Sequence, residues 1–145
     1  MAISNLLFYK KGKCWKGVLF NDASLVNQSS QFVHVITIKN FEADTVGQEL
    51  VKLGIAELKQ YALKDLSNFY NEQRKLTGNK NVEYELPYCI DGAMISISYK
   101  EQSYSYGDCI ASDSVLQKLP EIMRFHRITN YLQVVVYPLL NKRKK

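Results

Sequence analysis

Two short arms flanking residue 100 constrain the fold most. Ile95-Ser96-Ile97-Ser98-Tyr99 and Ser103-Tyr104-Ser105-Tyr106 each alternate a large apolar or aromatic side chain with serine. Side chains on a strand point to opposite faces in turn, so this pattern demands a β-hairpin with one aromatic-aliphatic face and one serine face. A one-residue slip would send every ring to the serine side. The intervening loop must therefore have an even number of residues. Glu101-Gln102 or the four residues 100–103 satisfy this, and both set Tyr99 opposite Tyr104 and Ile97 opposite Tyr106.

A hairpin needs another layer to cover its apolar face, and the rest of the chain supplies strands and helices. Leu6-Leu7-Phe8-Tyr9 and Cys14 to Phe20 flank a basic, Gly12-containing turn and read as a second hairpin. Residues 21–31 are polar and loop-like. Residues 32–38, Phe-Val-His-Val-Ile-Thr-Ile, are β-branched and apolar at nearly every position, which predicts a central strand. Thr45-Val46-Gly47-Gln48 has the form of a helix-capping box. Ile55, Leu58, Ala62, Leu66 and Phe69 then recur at spacings of three and four, which predicts one amphipathic helix of about 20 residues. Val82, Tyr84 and Leu86 alternate with Glu83 and Glu85 as in a half-buried strand, ended by Pro87. Asp91-Gly92 is a turn signal. Leu116, Leu119, Met123 and Phe125 mark a second helix, with a break or new start at Pro120. Residues 133–137 fit either a last strand or a helical tail. Hairpins dominate, and β-α-β alternation is missing. The expected fold is α+β: an antiparallel sheet of about five to six strands with two main helices packed on one face. One domain is expected over residues 1–141, followed by a disordered basic tail over 142–145.

Charge is unevenly distributed. The net charge is +5, yet residues 1–20 carry four lysines and no acid, and 142–145 add four more cations. The middle, 21–141, thus holds 11 basic and 14 acidic side chains, a net of −3. Attraction to phosphate backbones is confined to the two ends: the turn bearing Lys10, Lys11, Lys13 and Lys16, and the tail. Nucleic-acid binding through these two patches is the alternative function.

Catalytic motifs are missing. There is no phosphate-binding loop, no dinucleotide fingerprint and no zinc-protease motif. Cys14, Cys89, Cys109, His34 and His126 are scattered without paired spacing, so neither a metal site nor a cofactor is expected. A Cys89/His126 or Cys109/His34 dyad has no support from spacing, and no catalytic residue is assigned. Three cysteines cannot all pair within one chain. That odd, sparse count suits a reducing compartment, and small buried hydrophobes are the ordinary reading of such residues. The apolar start of the chain precedes its lysines, the reverse of a secretory signal. No run reaches the ~18–20 apolar residues of a membrane span. A cytoplasmic protein with no membrane span is expected.

Ten tyrosines remain to be explained. Most fit a core, but tyrosine also concentrates at the centre of protein interfaces. From Glu83 to Asp113 the tyrosines sit among carboxylates, with Lys100 the sole cation between them. Such a surface repels phosphate and attracts a basic protein. Glu83, Glu85, Tyr88, Asp91, Asp108 and Asp113 are the candidate partner-binding residues. Tyr88 is the expected anchor, with the acids steering encounter. The small size, the α+β plan, the lack of catalytic motifs and this acidic aromatic stretch resemble the single-domain immunity proteins of bacterial toxin–immunity systems, including contact-dependent growth inhibition. The resemblance implies a protein partner, a bacterial toxin domain, neutralised by covering its active site. It carries over no individual residue. The overall charge of +5 departs from the strongly acidic faces with which many such proteins block nucleases.

Overall fold

The computed structural model describes residues 2–26, 32–89 and 94–141. It is α+β, with antiparallel sheets and helices. The chain divides into two compact units, 1–49 and 50–145.

The first unit is a three-stranded antiparallel sheet in the order β1-β2-β3: β1 (Ala2–Lys11), β2 (Cys14–Val26) and β3 (Phe32–Glu42). Gly12, at φ 64°, provides the left-handed residue in the tight turn between β1 and β2. The first part of the expected polar loop is strand instead: β2 runs through Asn21 to Val26, pairing with β3 throughout and with β1 as far as Ala23, and residues 27–31 lie outside the described residues. The central strand is consequently β2, and β3 lies at an edge of the sheet. Gly17 shows why a small residue sits mid-strand. It stands opposite Phe8 on one side and Phe41 on the other. Those two rings meet edge to face with centroids 6.0 Å apart, and a Cβ at Gly17 would lie 2.2 Å from the Phe41 ring. Helix α1 (Asp44–Lys52) follows directly. Its start is fixed by Trp15, whose N–H donates to Asp44 Oδ1 at 2.6 Å and whose carbonyl accepts from Ala43 N–H. The indole lies over Gly47, where a Cβ would come within 2.5 Å of it. The glycine in the expected capping box is thus a packing surface.

In the second unit the predicted 20-residue helix is divided. Gly54, at φ 84°, leads into a single 3-10 turn (Ile55–Glu57), and α2 occupies Leu63–Thr77. Residues 58–62 leave the helical path because they are held against the hairpin that carries Ser105 and Tyr106. Gln60 forms a two-point clamp on Ser105, accepting its N–H at 2.7 Å and donating to its carbonyl at 3.1 Å. The Tyr106 hydroxyl accepts from Tyr61 N–H and donates to the Lys59 carbonyl. Long-range pairing outweighs the periodic pattern here.

That hairpin is β4 (Met94–Tyr99) with β5 (Gln102–Gly107). Its two faces are as expected: Ile97, Tyr104 and Tyr106 are buried, and serine hydroxyls pair across the strands at 96/105 and 98/103. Its register differs by two residues. The turn is Lys100-Glu101, so Ile97 faces Tyr104, Ile95 faces Tyr106 and Tyr99 faces Gln102. Both turn residues have positive φ, 47° and 64°. That is the twist a two-residue connection requires, and it is adopted here without glycine or asparagine. Even parity fixed the faces, while the turn fixed the partners.

The sheet expectation needs correction. The described residues form five strands in sheets of three and two, and no five- to six-stranded sheet occurs among them. The alternating stretch Val82, Tyr84, Leu86 is not a strand among the described residues: Asn71 of α2 accepts the Tyr84 N–H that a neighbouring strand would have taken.

The last helical stretch settles the ambiguous tail. A short α3 (Asp108–Ala111) and a 3-10 turn (Leu116–Lys118) precede α4 (Pro120–Tyr131), which starts with proline at its first position as anticipated. A π-turn (Leu132–Val136) and α5 (Tyr137–Asn141) continue the helix, so 133–137 is helical. Leu66, Leu116, Ile122, Phe125 and Ile128 form the fully buried core of this unit. The Tyr106 ring meets Phe125 edge to face at 4.9 Å, fastening the hairpin to α4.

Candidate partner-binding site

The site is built on the extended segment 83–89. Its beginning is bound to α2. Asn71 accepts the Tyr84 N–H at 2.8 Å, and both Asn71 and Lys75 donate to the Glu83 carboxylate. Those two hydrogen bonds, Lys75 first, hold the Glu83 carboxyl below its usual range. The Tyr84 hydroxyl accepts from Asn79 N–H, and Arg74 lies over the Tyr84 ring, 5.0 Å from its centroid. The far end is covalent: Cys89 is bridged to Cys109, with Cα atoms 5.6 Å apart.

Between these two anchors Tyr88 is 87% exposed. A tyrosine ring in water on an otherwise fastened segment buries nothing within its own fold. The bridge also places Tyr88 and Asp108 each one residue from a bonded half-cystine, so these two candidates share a neighbourhood. Asp108 is exposed at the start of α3. Glu85 is exposed on the same segment as Tyr88.

Two other candidates have local duties. The Glu83 charge is taken up by Lys75. The Asp113 carboxylate accepts the N–H groups of Val115 and Leu116, both at 2.9 Å, and so caps the following 3-10 turn. Asp91, like the expected tail at 142–145, lies outside the described residues.

The disulfide is what sequence reasoning missed. An odd cysteine count forbids complete pairing, yet two of three can pair, and only the fold brings residues 89 and 109 together. Both thiols of the conceivable dyads are thereby committed. Cys14 is a free, exposed thiol. No group of three or more potential metal-ligating side chains occurs among the described residues.

A second polar cluster was not visible in the spacing either. The Tyr61 hydroxyl donates to Glu121 Oε2 at 2.7 Å, and Lys59 lies over the Tyr61 ring. Burial, then the bond to Glu121, pushes the Tyr61 phenol up to about 12. The same bond holds the Glu121 carboxyl below its usual range. At neutral pH the phenol keeps its proton and the carboxylate stays ionised. The pair is suited to fastening residues 59–61 to α4 and poorly suited to moving protons.

No family model, no curated protein and no solved structure matches the chain.

Proposed function

We propose that this protein binds another protein through Tyr88 and the carboxylates around it, and acts as an immunity-type inhibitor that neutralises a toxin domain by covering its active site. The observation that carries the reading is the 87% exposure of Tyr88 on a segment fixed at both ends. Ordering a loop on binding is costly, and a segment already held by α2 and a disulfide avoids most of that cost. An exposed aromatic in such a setting has the character of an interface anchor, ringed by groups that exclude water once it is covered. Exposed Glu85 and Asp108 favour a basic partner surface and would speed encounter at low salt.

The test is capture and protection with the intact chain. Expressed beside a toxin domain encoded by a neighbouring gene, the protein should relieve growth arrest and co-purify with that domain. Tyr88→Ala should weaken the complex by more than tenfold, since anchor truncations cost about 2 kcal/mol or more, while leaving the melting temperature unchanged. Asp108→Lys should slow association. A complex indifferent to both substitutions, or recovery of nucleic acid in place of protein, would overturn the reading.

A further inference from the structure

We propose that the Cys89–Cys109 bridge is a redox switch on the Tyr88 site. Bridged, it holds Tyr88 ready for a partner; reduced by a dithiol, it releases the segment that carries Tyr88. This control rests on Tyr88 being the anchor of the site, as proposed above.

The hold of α2 on the segment stops at Tyr84, whose N–H goes to Asn71. From Glu85 to Cys89 no backbone N–H is hydrogen-bonded to a described residue. Leu86 and Pro87 are half-buried, and Tyr88 stands in water. The far end is therefore fixed by the bridge. It draws Cys89 Sγ onto Gly107, the last residue of β5, where a Cβ would lie 2.9 Å from the sulfur. It also brings Cys109 Sγ within 3.7 Å of the Pro87 carbonyl oxygen. Opening the bridge unties Cys89 from this position, and Tyr88 with its neighbours regains conformational freedom.

The rest of the unit is held by other contacts. The hairpin is fastened by the Tyr106 ring against Phe125 and by the Gln60 clamp on Ser105. The fully buried core of Leu66, Leu116, Ile122, Phe125 and Ile128 contains neither cysteine. Reduction is thus a local event. The sulfurs are within reach, since both half-cystines are half-buried and sit beside exposed Tyr88 and Asp108. The thiolate of a dithiol attacks one sulfur, forms a mixed disulfide and frees the other cysteine, which takes up a proton. The second sulfur of the dithiol then displaces the first cysteine and closes its own disulfide. Two electrons and two protons pass from the dithiol to the cysteine pair. A small-molecule disulfide, such as oxidised glutathione, drives the reverse exchange.

The experiment uses the full chain carrying Cys14→Ser, which removes the free thiol. Dithiothreitol should convert the bridge to a pair of thiols with the circular dichroism unchanged, and oxidised glutathione should restore it. Chymotrypsin should cut the Tyr88–Cys89 bond at least about tenfold faster in the reduced form, as read by mass spectrometry, because cleavage needs a segment free to leave its place. The bridged form should hold the toxin domain encoded by a neighbouring gene at least about tenfold more tightly, since ordering one or two freed side chains on binding costs about that factor. Cys89→Ser/Cys109→Ser should behave as the reduced form in either buffer. The switch is refuted if reduction unfolds the unit, if the bridge yields only in denaturant, or if cleavage after Tyr88 is equally fast in both forms. Equal binding of the toxin domain by both forms overturns the switch alone. Binding by neither form brings down the Tyr88 reading and the switch with it.

Discussion

The Lys100-Glu101 turn offers a sharp test of the hairpin register. Both residues occupy the left-handed region, which costs a residue other than glycine about 1–2 kcal/mol. Glu101→Gly removes that cost and adds about 0.5–1 kcal/mol of unfolded-state entropy. The net expectation is a gain of roughly 0.5–1 kcal/mol, or a rise in melting temperature of a few degrees for a unit of this size. Lys100→Asn should be nearly neutral, since relief of strain is offset by loss of the ammonium over the Tyr99 ring. The discriminating variant is Gln102→Gly. Were the loop Glu101-Gln102, glycine at 102 would stabilise. In the observed register, Gln102 is the first residue of β5 and accepts a hydrogen bond from the Tyr104 hydroxyl at 2.7 Å. Glycine there should cost about 1–2 kcal/mol through lost strand entropy and the lost bond. Thermal unfolding followed by circular dichroism measures all three. A higher melting temperature for Gln102→Gly, or a lower one for Glu101→Gly, would refute the register and the strain at the turn together.

Four further outcomes are expected. Reducing the Cys89–Cys109 bridge, or replacing it in Cys89→Ser/Cys109→Ser, should destabilise the second unit by about 3 kcal/mol, from the closure entropy of a loop of this length; an unshifted melting curve with reductant would contradict this. Thiol labelling in fresh cell extracts also bears on the compartment: one reactive cysteine per chain is expected with the bridge formed, whereas three would favour the cytoplasmic reading. Gln60→Ala should cost about 1–3 kcal/mol by releasing the two-point clamp on Ser105, and should raise amide exchange at Ser105 ahead of the core. The Tyr61 phenol, raised in the fold from 10.0 to about 12, contributes stability that is complete below pH 10 and lost as pH climbs toward 12. Tyr61→Phe should flatten that alkaline loss relative to the wild type, and identical pH profiles would show that the Tyr61 phenol is not its source.

Local chemistry made much of the second unit legible. The Ser/Tyr alternation determined both faces of the hairpin, and Pro120 marked the start of α4, because each is decided by neighbours a few residues away. What stayed hidden was decided at a distance. The clamp from Gln60 to residue 105 broke a helix that periodicity alone would have continued. Asn71 took the Tyr84 amide that a strand would have used. The bridge between residues 89 and 109 left no trace in cysteine spacing. The same division holds at the candidate site. Composition pointed to Tyr88 among acids, but only the fold separates Asp108 beside the bridge from Asp113, which is spent on a turn, and from Glu83, which is tied to Lys75.

By joining residues 89 and 109, the bridge closes a covalent ring around β4 and β5, and the tip of that ring is the exposed Lys100-Glu101 pair. A protease such as trypsin cutting after Lys100 would sever the backbone without releasing a piece. The clipped molecule would migrate as intact chain on a denaturing gel run without thiol, and would separate into two fragments once thiol was added.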